Sequence, residues 1–132
     1  MWSARELVGA ERGSAVAEFV MVGAILTVLT VSVLQLALAL HVRNTVLDAA
    51  SEGARFAALA DNGPADGAAR CRTLIALAIG GDYARDVTVS SGEWQGRPAV
   101  TVTVRTTLPV IGLIGIEGAV EVSGHAVVET LD

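Results

Sequence analysis

Residues 12–41 read RGSAVAEFVMVGAILTVLTVSVLQLALALH, and this stretch decides how the rest of the chain is read. Between Phe19 and Leu40 lie 22 residues without a charged side chain. At about 1.5 Å per residue a helix of that length covers roughly 33 Å, enough for the ~30 Å hydrocarbon core of a bilayer. The interruptions are Gly23, Thr27, Thr30, Ser32 and Gln35, all small or neutral. A helix on the surface of a soluble domain would instead carry a charged face at the helical period. The stretch therefore predicts a membrane-spanning helix.

Working outward, a chain of 132 residues leaves about 90 beyond this run, room for one small domain. Hydrophobic residues make up 52% and the mean hydropathy is +0.57, both raised by the apolar run. Aromatic residues are only 4%, so a core has to be built from Val, Ile, Leu and Ala. The net charge of −5, with nine scattered basic residues that are all Arg, argues against a nucleic-acid partner. Cys71 is the single cysteine, which rules out an intrachain disulfide and reads as a small core residue. His41, His125 and Cys71 are far apart and show no paired ligand spacing, so no metal site is expected. Gly112, Gly115 and Gly118 lack the Gly-Lys-Ser/Thr step of a phosphate loop. No nucleophile with a base and no carboxylate pair stands out, and neither catalysis nor a cofactor is expected.

Upstream, residues 1–13, MWSARELVGAERG, look like a leader. Arg5 and Arg12 on one side of the run are balanced by Arg43 and Arg55 on the other, so charge does not set the orientation. Three readings compete here: an uncleaved anchor, a secretory signal cut after Ala37-Leu38-Ala39, and a leader cut after Gly13. The secretory reading has a suitable cleavage motif but an apolar run much longer than a signal peptide's usual 7 to 15 residues. Glu18 is the informative residue, because a carboxylate at the edge of a bilayer is costly unless it is paired. Its simplest role is to reach the headgroups and favour the helix dipole. A cut after Gly13 offers another, since Ser14 then carries a free amine one helical turn from Glu18.

Arg12-Gly13-Ser14-Ala15-Val16-Ala17-Glu18-Phe19 followed by the apolar run resembles type IV prepilin-like leaders, and its Glu-Phe pair is similar to the tight-adherence (Flp-type) branch. Asp48-Ala49-Ala50-Ser51-Glu52-Gly53-Ala54-Arg55-Phe56-Ala57-Ala58 resembles the corresponding stretch of TadE-like pseudopilins. The likeness covers residues 11–60 and departs from many relatives at Met21-Val22-Gly23-Ala24, where they carry a Leu-Pro step. It implies a leader over 1–13, a transmembrane helix over 14–41 and an extracytoplasmic pilin-like domain over 42–132. It further implies processing at Gly13 and Ser14 by a prepilin peptidase, assembly through Glu18 and Phe19, and packing or subunit contacts through Ala49, Glu52, Gly53, Arg55 and Phe56. The implied partners are the peptidase, other pilins and pseudopilins, the pilus assembly platform and the lipid bilayer. The implied location is the cytoplasmic membrane or the pilus at the cell surface. The competing reading is an uncleaved single-span accessory protein whose small outer domain binds a ligand or partner.

Downstream, Val42 to Ala60 has no proline and continues the helix with an apolar face of Val42, Val46, Ala49, Gly53, Phe56 and Ala60. Arg43, Asn44, Asp48, Ser51, Glu52 and Arg55 fall opposite, where Glu52 and Arg55 are spaced to pair. Ala49, Gly53 and Ala57 form a ridge that another element can approach closely. Residues 61–67, DNGPADG, read as a loop, and Ala68 to Ile79 as a short second helix capped at Gly80-Gly81. After Asp82 the period changes to two. Strands are expected at Val87–Val89, Ala99–Leu108 and Ala119–Glu129, with a turn over Ser90–Pro98. Val100, Val102, Val104 and Leu108 of the second and Val120, Val122, Ala126 and Val128 of the third point inward, whereas His125 points to solvent. The expected fold is α+β, a long N-terminal helix continuing into a domain with a short second helix and a three-stranded antiparallel sheet. Residues 109–118, PVIGLIGIEG, fit either a tucked connection or an exposed apolar patch facing a subunit or the membrane.

Overall fold

A helix of 55 residues, α1 (Ala4–Ala58), begins a computed structural model that describes residues 4–108 and 119–129. The chain divides into two compact units, residues 1–36 and 37–132. The described residues of the first, 4–36, all belong to α1, and the apolar window that makes α1 long and apolar enough to cross a membrane is not buried by any of the described residues. Its hydroxyls fold back on the helix: Thr27 donates to the Gly23 carbonyl at 2.8 Å, Thr30 to Leu26 at 2.7 Å and Ser32 to Val28 at 2.7 Å. Their polar groups are thereby satisfied without water, as a hydrocarbon environment demands.

The second unit is α+β. Helix α2 (Pro64–Ala78) follows α1, then a 3-10 turn (Gly81–Ala84) and strands β1 (Asp86–Trp94), β2 (Arg97–Thr107) and β3 (Ala119–Val127). The strands form one antiparallel sheet in the order β1-β2-β3. Its inward face, Val87 of β1, Val102 and Val104 of β2 and Val122 of β3, joins Val42, Val46 and Ala50 of α1 and Cys71 and Ile75 of α2 in a core without a buried aromatic ring. Each fully buried Val or Ile contributes about 1.5–3 kcal/mol.

Several boundaries differ from those read in the sequence. Helix α2 starts four residues earlier than Ala68, because Pro64 takes the first helical position and Asp66 accepts a hydrogen bond at 2.8 Å from the Gly63 N–H just ahead of it. Gly67, assigned to a loop, is therefore helical and buried. Strand β1 is nine residues long rather than three, and the turn shrinks from Ser90–Pro98 to Gln95-Gly96. Both turn residues have positive φ, 52° and 76°, the pattern of the tight hairpin turn whose twist matches the flanking strands. Strand β3 ends at Val127, not Glu129.

The helical face is also redrawn. Phe56 is only half-buried, Ala60 is exposed beyond the helix end, and the buried stripe instead includes Ala50, Ala54, Ala57 and Ala58. The stripe is wide because α1 meets two elements at once, α2 on one side and β3 on the other. Glu52 and Arg55 form no ion pair among the described residues. Thr106, not placed on either strand face from the sequence, is buried. The connection 109–118, for which two accounts were open, lies outside the described residues.

Candidate functional site

Gly13, Ser14, Glu18 and Phe19 all lie within α1 and are exposed. Glycine in a helix interior costs about 1 kcal/mol relative to alanine. At Gly13 the fold gains nothing in return, since an added Cβ meets no atom within 4 Å. The same is true of Gly9 and Gly23, so it is the position of Gly13 five residues before Glu18 that distinguishes it. Ser14 and Glu18 are one turn apart on the same helical face. Phe19, 79% exposed, leads the apolar run that none of the other described residues covers. Chemically, this is a carboxylate and a ring displayed at the head of an unburied hydrophobic helix, a surface able to recruit an opposite charge and a second apolar helix.

In the second unit the five residues marked for packing or subunit contact separate by environment. Ala49 and Gly53 are buried, Glu52 and Phe56 half-buried, and Arg55 exposed. Gly53 faces α2 so closely that an added Cβ would stand 2.7 Å from the Gly67 carbonyl oxygen and 2.9 Å from the Cys71 Cβ. Arg70 of α2 places its guanidinium 5.9 Å from the centre of the Phe56 ring, a cation–π approach. Burial pushes the Cys71 thiol up to about 11, with Arg72 opposing, which marks it as an inert core group. Asp48, Glu52 and Arg55 of α1 line an open groove of about 470 Å3 whose other wall is Leu74 and Ala78.

On the outer face of the sheet the structure joins residues that the sequence left separate. The rings of Trp94 and His125 stack at 5.8 Å and 5°, and His125 Nδ1 lies 2.8 Å from Thr101 Oγ1. Beside them Thr103 Oγ1 and Ser123 Oγ are 3.1 Å apart, and Arg105 donates to Glu121 at 2.7 Å. That hydrogen bond, followed by the charges of Glu121 and Asp86, raises the Arg105 pKa above its usual value. Strand parity placed His125 on this face, but its neighbours depend on the hairpin register, which short-range pattern did not reveal.

Residues 13–55 match the family described as TadE-like protein, about a third of the chain, with the match starting at Gly13 and ending at Arg55. No curated protein and no solved structure matches the chain.

Proposed function

The chain is TadE-like over residues 13–55, and from that premise we propose that it is a minor pilin or pseudopilin of a tight-adherence pilus system. It is made as a membrane-inserted precursor, and a prepilin peptidase removes residues 1–13. The observation that carries the reading is the coincidence of three features at one place. The family match begins at Gly13, Glu18 is exposed one turn from Ser14, and the uncovered apolar helix begins at the next residue. The matched segment leaves out residues 1–12, all of the proposed leader but Gly13. The role is structural rather than catalytic: the helix anchors the subunit in the cytoplasmic membrane and then packs with other pilins, the second unit lies outside the cytoplasm, and the assembly platform and peptidase are its transient partners.

N-terminal sequencing of the membrane form tests this directly. Ser14 at the N-terminus supports the proposal, and Met1 supports the uncleaved accessory protein. Gly13→Leu is expected to leave a full-length precursor, because the peptidase must seat this residue while the fold itself has open space around it. Normal shortening of that variant would remove the leader assignment.

A further inference from the structure

Strand β3 is pinned to α1 at two heights. Gly124 lies against the backbone of Ala50 and Ser51, and the Glu129 N–H donates to the Ala58 carbonyl at 3.0 Å. Five residues along the β3 segment thus correspond to eight along α1, in the same direction. The same ratio carried back from Gly124 brings Ala119, where β3 begins, level with Val42. Thr107 ends β2 and is the register partner of Ala119, so both strands end at that level. The core agrees, since Val42 and Val46 share a buried cluster with Val104 and Val122, against which Leu108 and Val120 pack. The hairpin turn at Gln95-Gly96 stands at the other end of β2, roughly 33 Å away.

Val42 is separated only by His41 from Leu40, the last residue of the uncharged run, and Leu38 and Leu40 are exposed. A bilayer adds about 5 to 8 Å of headgroup layer on each side of its hydrocarbon core, at least one helical turn beyond Leu40. We infer that the end of the sheet formed by Thr107, Leu108 and Val120 rests on the bilayer headgroup layer, a second contact with lipid besides the anchor. This inference rests on the reading of α1 as a membrane span. Charge does not drive the contact: Arg85 is paired with Asp82 and Arg105 with Glu121, each at 2.7 Å, and Asp86 stands beside them.

The test uses the full chain carrying Cys71→Ala and one added cysteine, at His41, Thr107 or Glu93, each exposed. Each variant is labelled with a fluorophore and reconstituted in phosphatidylcholine vesicles containing phosphatidylcholine spin-labelled on its headgroup. The label at Thr107→Cys is expected to lose as much fluorescence as that at His41→Cys, and the label at Glu93→Cys, beside the hairpin turn, to lose none. Adding phosphatidylglycerol or salt should change neither result. Quenching at 41 but not at 107 overturns the inference and leaves the membrane span standing. Absence of quenching at 41 as well removes both. Quenching at all three positions means the domain lies flat, and quenching at 107 only with phosphatidylglycerol means adsorption by charge; either overturns the end-on contact.

Discussion

Glu18 is where the proposed mechanism meets a single side chain. Removal of residues 1–13 would give Ser14 an α-amine, largely cationic at neutral pH, on the same helical face as Glu18 and available to a neighbour's carboxylate. Glu18→Ala and Glu18→Gln are both expected to insert and be shortened normally yet fail to assemble. A charge-assisted hydrogen bond is worth about 1.5–3 kcal/mol, so association measured by crosslinking to other pilins should weaken roughly ten- to hundredfold. Wild-type assembly by both variants would reduce Glu18 to a helix-start residue, and blocked shortening would assign it to peptidase recognition instead. Cys71 offers an independent probe of the core. Because burial raises its pKa from 9.0 to about 11, the unfolded state loses its proton first as pH rises, and the stabilising difference present below pH 9 is lost between about 9 and 11. Denaturant midpoints measured across that range should fall, and the fall should vanish in Cys71→Ala. An undiminished fall in that variant would assign the effect to other groups.

The elements of the second unit are joined through glycines, and this decides what was legible in the sequence. The ridge of Ala49, Gly53 and Ala57 was visible as small residues at helical spacing, but what fills it was not. Gly67 and Gly124 sit on other elements and become meaningful only in the fold, Gly67 against Gly53 and Ala57 and Gly124 against Ala50 and Ser51. An added Cβ at Gly124 would stand 2.5 Å from the Ala50 carbonyl carbon, backbone against backbone, with no flexible side chain to yield. Gly124→Ala should therefore destabilise the protein by about 1–3 kcal/mol, whereas Gly92→Ala, with open space around it, should cost much less. Equal shifts in denaturant midpoint would mean that β3 does not lie on α1 as described. The outer half of β1, Ser90 to Trp94, escaped sequence reading because it has no apolar alternation; it is held by pairing with β2, not by burial. The Trp94–His125 stack was hidden for the same reason, since it needs the register of three strands. By contrast, the apolar run and the Gly13-to-Glu18 spacing are local in sequence and needed no tertiary information.

For the whole molecule, the division between residues 36 and 37 separates two different solvent requirements. The first unit presents an apolar helix that none of the described residues covers, whereas the second packs an apolar core among α1, α2 and the sheet. A fragment beginning at Val42 keeps the first residue of that core and omits the apolar run. It is expected to be soluble without detergent and to give a circular dichroism spectrum of mixed helix and strand. Its stability should be low, because a domain of about 90 residues buries a modest fraction of its surface and the described residues of this core include no fully buried aromatic ring. A fragment beginning at Ser14 should instead need detergent or lipid, since the exposed side chains from Phe19 to Leu40 then have only water to face. Sedimentation in the presence and absence of detergent separates the two fragments. If both stay soluble without detergent, the membrane span is lost. If the shorter one folds with a predominantly helical spectrum, the sheet goes with it, and the resemblance to a pilin-like subunit would be confined to the matched residues 13–55.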